Sequence, residues 1–237
     1  MRVYALGTVR LAPTIGFVCL VLAGCGSGDD DPPDSGGGGT ATATAAPVDR
    51  ASDERLAEEA LLVLGDLPAY WTSVDQGGAD IPRCDAVRKV RETTTARGDS
   101  DRFAKGEGTG AQAAIYVFAD EQAAEDGFTR LSSPETVACA ADGLAGELAR
   151  TSTGTVGRAA TAPLEIDAHG DQSDATRVTV PLSAAGIEAD LHIDLLYVRT
   201  GRALSLGLFL NVGSPFDDAL REQLTAIGVE RLTDALG

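Results

Sequence analysis

The scarcest reactive side chains of this 237-residue chain are two histidines, four cysteines and one tryptophan. With only His169 and His192 present, little room is left for His-based catalysis or a multi-His zinc site. The best local constellation is Asp190, His192 and Asp194. Alternate residues of a strand stand on one face, ~6.5–7 Å apart, so two of these side chains can share a metal if a neighbouring strand helps. The simpler reading is the solvated face of a half-covered sheet, polar because it meets water. A second patch, Asp167 to Asp174 with His169 and Gly170, has the composition of a turn. Gly106, Gly108 and Gly110 precede a strand instead of opening a helix, which makes them a strand connection and not a dinucleotide loop. The sequence holds no G-x-S-x-G elbow, H-E-x-x-H pair or Walker loop. We therefore expect no catalytic residue, no bound cofactor and no metal site. Tyr70 and Trp71, beside Pro68, are either a recognition pair or the cap of a core edge, since amphipathic aromatics serve both ends.

Charge and leader narrow the setting. The formal net charge is −17, and lysine occurs only at positions 89 and 105. Such an excess of acid cannot neutralise phosphates, so a nucleic-acid partner is not expected, nor is a basic patch for anionic lipid. Arg2 and Arg10 precede and flank a mostly apolar run to Leu22, the charged and hydrophobic regions of an export signal, too short to span a bilayer comfortably. The run ends in Leu22-Ala23-Gly24-Cys25, which resembles the lipobox of bacterial lipoproteins. The resemblance implies cleavage after residue 24, a thioether-linked lipid on Cys25 and a membrane partner held through that anchor. Loss of Arg2 and Arg10 takes the charge of the mature chain from −17 to −19. Residues 25–49 then form a Gly-, Asp- and Thr-rich tether without apolar periodicity. At ~5–6 Å times the square root of its length, the tether spans roughly 25 Å.

With Cys19 lost in the leader and Cys25 lipidated, Cys84 and Cys139 are left as an even pair in an exported domain, which reads as a disulfide. A redox or nucleophilic cysteine lacks here a C-x-x-C spacing and a neighbouring histidine.

Residues 50–237 supply the elements that hold these groups. Leu56, Ala60 and Val63 recur at helical spacing over Asp53 to Leu64, and Cys84 to Arg91 suits a short helix. Ala113 to Phe118 reads as a buried strand, followed by a helix capped by Asp120 with Ala124, Phe128 and Leu131 on one face. Ser133-Pro134 opens another helix, whose stripe is Val137, Ala141, Leu144, Ala145 and Leu148. Cys139 points away from that stripe, so its disulfide should pin the outer side of the helix. Thr176 to Leu182 alternates, and Ile187 to Val198 is the clearest strand, with Leu191, Ile193, Leu195 and Tyr197 on one face. A tip at Thr200-Gly201 pairs Leu195 with Leu206, Ile193 with Leu208 and Leu191 with Leu210. Phe209 then shares the face of His192, Leu196 and Val198, a place for a helix, ligand or partner to dock. Ser214-Pro215 opens a last helix through Phe216, Leu220, Leu224 and Ile227, weakened near Gly228. Helices and antiparallel strands are segregated, which predicts one α+β domain with helices packed on one face of the sheet.

Leu64-Gly65-Asp66-Leu67-Pro68-Ala69-Tyr70-Trp71 resembles the DLP-x-GW opening of many actinobacterial lipoproteins. With the strand Ile115 to Phe118, the Asp120-Glu121-Gln122-Ala123-Ala124 run, a Cys-bearing helix and a long hairpin, the order of elements resembles the extracellular sensor domain of PknH-type kinases. That resemblance implies an α+β fold with a ligand groove and disulfides. Tyr70 departs from the family glycine, and one Cys pair stands where the kinase sensor has two, so the groove is not transferable residue by residue. The expectation is a lipid-anchored sensor-type domain on the outer face of the cytoplasmic membrane that binds an envelope ligand or protein. The rivals are an envelope hydrolase with a Ser–His–acid set around His192 or His169, and a structural subunit of an envelope complex.

Overall fold

The computed structural model describes residues 49–74 and 84–237. The expected signal peptide (1–24), the lipidated Cys25 and the tether as far as residue 48 lie outside the described residues. Helix α1, Arg50–Glu59, opens on Asp49, whose carboxylate accepts the Ser52 amide at 3.3 Å. It ends short of the expected Leu64 because the Leu61 amide turns back to the Glu58 carbonyl at 3.3 Å and Val63 is already extended. Val63, expected on the buried stripe, is consequently exposed, whereas Leu56, Ala57 and Ala60 are buried. A single 3₁₀ turn, Leu64–Asp66, precedes β1, Thr72–Val74. Then come α2, Asp85–Thr93, β2, Thr94–Asp99, β3, Arg102–Lys105, and β4, Thr109–Phe118. Asp120 caps α3, Glu121–Leu131, by accepting the Ala123 amide at 2.8 Å. Ser133 and Pro134 start α4, Pro134–Thr151, as the sequence predicts.

The rest of the sheet follows: β5, Thr155–Val156, β6, Ala160–Pro163, β7, Gln172–Ala184, β8, Ile187–Thr200, and β9, Ala203–Val212. Helix α5, Asp218–Leu236, closes the domain. It begins at the cap Asp217, whose side chain accepts the Leu220 amide, and not at Ser214-Pro215. Phe216 therefore precedes the helix, where it is buried as an anchor of the incoming loop. The strands make one antiparallel sheet of order β1-β3-β4-β9-β8-β7-β5, with β2 paired to β4 and β6 paired to β7.

The fold is α+β, but helices cover both faces of the sheet and not one. Alternating β4 residues enter different cores: Ala114, Tyr116 and Phe118 pack with α2, α3 and α4, while Ala113, Ile115 and Val117 pack with the α1 and α5 side. The continuous apolar run of β4 is the signature of a strand buried on both sides. On β8, Tyr197 and Leu195 belong to the first layer and Leu196 to the second. The docking face expected around Phe209 and Leu196 is thus occupied by α5. At Gly98 of β2, a β-carbon would stand 2.8 Å from the Ala57 carbonyl oxygen, which explains a glycine where α1 lies on the sheet.

The β8–β9 register is offset by two residues from the expected one: Tyr197 faces Leu206, Leu195 faces Leu208, Ile193 faces Leu210 and Leu191 faces Val212. The tip is Gly201-Arg202, between paired Thr200 and Ala203. Gly201 sits at φ +52°, and its amide donates to the Asp171 carboxylate at 2.7 Å, while Arg199 donates to the Gly201 carbonyl. A two-residue offset keeps every side chain on its face, so alternation alone cannot choose between the registers and the turn does. Cys84 and Cys139 form the expected disulfide, with Cα atoms 6.0 Å apart. Cys139 is on the exposed side of α4, as expected, but Cys84 is buried in the core beneath α2. The bond therefore ties the outer face of α4 to the interior.

Candidate functional site

The most concentrated chemistry lies where α5 crosses β7 and β8. Arg177 of β7 faces Asp194 of β8 directly across the ladder. Its guanidinium grips the carboxylate with two bonds, Nε to Oδ1 at 2.6 Å and Nη2 to Oδ2 at 2.9 Å. From the opposite side Arg221 of α5 donates Nη1 to Oδ2 at 3.0 Å. The Asp194 side chain has no exposed surface and that of Arg221 retains 3%. Arg221 also donates to Asp218 at 2.6 Å and reaches Glu222 at 3.4 Å. The Arg177 guanidinium is raised above its ordinary pKa, chiefly by its hydrogen bonds to Asp194 and against the effect of burial. A fork–carboxylate pair of this kind satisfies both charges at once.

Glu222 continues the chain of contacts. Its Oε2 lies 2.9 Å from Nε2 of His169, whose own amide donates to Ser173 Oγ at 3.3 Å. The two patches that the sequence offers separately, one around Asp194 and one around His169, are thus linked through Arg221 and Glu222. Sequence reasoning missed both linkers and Arg177. A signal was present: Arg221 shares the buried stripe of α5 with Leu224, Gly228 and Leu232, and a buried arginine demands a buried carboxylate.

The Asp190, His192, Asp194 face is split by that packing. Asp194 is consumed by two guanidinium groups and is buried, so the solvated-face reading fails there. His192 is half-buried with Nδ1 3.4 Å from Thr179 Oγ1, and Asp190 is exposed, its carbonyl accepting the Gly213 amide. Among the described residues no three His, Cys, Asp or Glu side chains stand where they could hold one metal ion. The hydrogen bonds of the two imidazole rings run to Glu222 and Thr179.

A second feature is the turn after α1. Trp71 is buried, its ring tilted 6.1 Å from Phe216, which in turn lies 5.2 Å from Phe209. This is the core-edge reading of the tryptophan, and its Nε1 is buried without a hydrogen-bond partner. Tyr70 next to it is 90% exposed and sits at φ +76°, the left-handed region that disfavours a bulky side chain. Glycine would hold this backbone without strain. The turn is held from below by Arg231 of α5, which donates to both Asp66 oxygens at 2.5 and 2.7 Å and to the Leu61 carbonyl.

Between α5 and the sheet, Leu62, Leu196, Phe209, Leu224 and Gly228 enclose a cavity of about 20 Å³. That is space on the scale of a water molecule.

No protein-family model matches the chain, and no curated protein matches it. Among solved structures it is similar to the extracellular domain of PknH from Mycobacterium tuberculosis, with 10% identity over 81% of this chain and 100% of that one, at a TM-score of 0.45. At that identity and score the likeness identifies neither a ligand nor a partner.

Proposed function

We propose that this chain is a lipid-anchored extracytoplasmic protein whose α+β domain binds an envelope ligand or protein and catalyses no reaction. The observation that carries the reading is the Cys84–Cys139 disulfide, a bond that persists in oxidising compartments outside the cytoplasm. It is supported by the lipobox-like Leu22-Ala23-Gly24-Cys25, by a tether long enough to hold a domain off a bilayer, and by the commitment of Asp194, Arg177, Arg221 and the His169–Glu222 pair to one another. None of the helices of the described residues is long and apolar enough to cross a membrane.

The test is fractionation of cells carrying Cys25→Ser. The expected result is release of the protein to the medium or accumulation of the uncleaved precursor; unchanged processing and membrane retention would overturn the anchor. For the domain, native mass spectrometry of oxidised residues 50–237 with an envelope lipid extract should yield either a discrete added mass lost on denaturation or a bare mass that directs the search to a protein partner. Covalent labelling by a fluorophosphonate would replace the binding reading with a hydrolase.

A further inference from the structure

We propose that the turn spanning residues 63–70 is a protein-docking surface centred on Tyr70, fitted to a partner segment that carries arginine or lysine beside apolar side chains. Among the described residues five large apolar side chains are exposed, and three of them, Val63, Leu64 and Tyr70, fall within these eight positions. Clustered exposure of this kind marks interaction surfaces, whereas single scattered residues do not. Tyr70 is the extreme case, 90% exposed in a backbone conformation that glycine would hold without strain. A strained residue whose side chain touches little of its own fold points to a role outside it.

The backbone that carries the ring is anchored on both sides. On one side the Asp66 carboxylate is fixed by Arg231 and by the Val63 amide at 2.8 Å; on the other, Trp71 is buried against Phe216. Preorganised tyrosine offers contact area at little entropic cost, and its face accepts a guanidinium or ammonium group. Charge selects the partner. Helix α1 leads into the turn with Glu58 and Glu59 exposed at its end, Glu54 being paired with Arg50 and Arg55 lying exposed one turn back, on a chain of net charge −17. A second copy of this chain, or an anionic lipid surface, would meet repulsion there, while a cationic protein segment meets attraction.

The inference rests on the reading of the domain as a binding module. It is tested in the full-length, membrane-anchored protein by placing the photo-crosslinker p-benzoylphenylalanine at position 70, at 64 and, as a distant exposed control, at 187. The expected result is one discrete protein adduct from positions 70 and 64 and none from 187. The adduct from position 64 should fall about tenfold or more with Tyr70→Gly, and likewise with Glu58→Lys combined with Glu59→Lys. Purified Tyr70→Gly should melt no lower than the parent, which separates lost docking from lost folding. An adduct with the mass of a second copy or of lipid, an adduct indifferent to these substitutions, or silence at position 70 would overturn the surface. An adduct from 187 alone would leave the binding reading standing and remove this site; silence at all three positions would count against both.

Discussion

At Asp194 a carboxylate without exposed surface receives hydrogen bonds from Arg177 and Arg221 on two different elements. Removing its charge takes the shared carboxylate from the buried Arg221 and the part-buried Arg177, and breaking a buried pair in that way costs about 3–5 kcal/mol. Asp194→Asn should therefore lower the urea midpoint by that much stability with an unchanged slope; a loss below about 1 kcal/mol would show that the network is not buried as described. Asp53 provides the pH-dependent counterpart. Burial works to raise its carboxyl pKa, but hydrogen bonds from Arg202 and Thr95 prevail and hold it below the ordinary 3.8. A depressed folded-state pKa contributes stability that is present above the unfolded value and lost as pH falls through the folded one. The destabilisation caused by Asp53→Asn should accordingly be full at pH 7 and shrink on acidification below about pH 4, read from urea melts at both values. A penalty that stays constant with pH would refute the assignment.

Among the elements, α5 is the one whose packing surface departs most from its apolar pattern. The buried positions are Arg221, Leu224, Gly228 and Leu232, with Leu220 and Ile227 only partly covered. The helix runs through Gly228 without interruption because tertiary contact, not propensity, holds it there. A β-carbon at Gly228 would meet no atom within 4 Å, since the residue borders the cavity beneath the helix. Gly228→Ala should then gain about 1 kcal/mol from helix propensity while partly filling the void, seen as a higher Tm. A lower Tm would mean that the helix cannot give the extra methyl room. The β8–β9 hairpin teaches a related lesson. Its apolar face was readable, yet two registers that differ by two residues bury the same face, and the choice fell to the Gly201 turn and to Asp171 bonding beneath it.

Over the whole molecule, the disulfide joins a helix preceding β2 to one following β4, across a sequence separation of 55. Closing a loop of that length stabilises the fold by about 4 kcal/mol on the chain-entropy account. Replacing Cys84 and Cys139 together by Ser should cost that amount in urea unfolding under oxidising conditions, and added reductant should no longer affect the double variant. Equal stability of the two proteins would make the bond incidental. Layering is the other whole-molecule property. A sheet covered on both faces leaves little of its broad surface free, and this moves attention from the β8 face, where the sequence invites a site, to the turns at the rim.

By itself the sequence determined the class of fold, the helix starts at Asp120 and Ser133, the buried strand through Ile115 and the cysteine pairing. Each rests on local rules: caps that satisfy free amides, a period of two or 3.6, and the parity of cysteines in an exported chain. Only the tertiary structure decided that α1 and α5 cover the second face, that Asp194 is buried between two arginines, and that Glu222 joins His169 to the same network. Those outcomes depend on which helix returns to which face, and the pattern of a single strand holds no information about its covering layer. A polar residue alternating with leucines looks identical whether water or an arginine waits above it, and the difference becomes physical only when α5 brings Arg221 to within 3.0 Å.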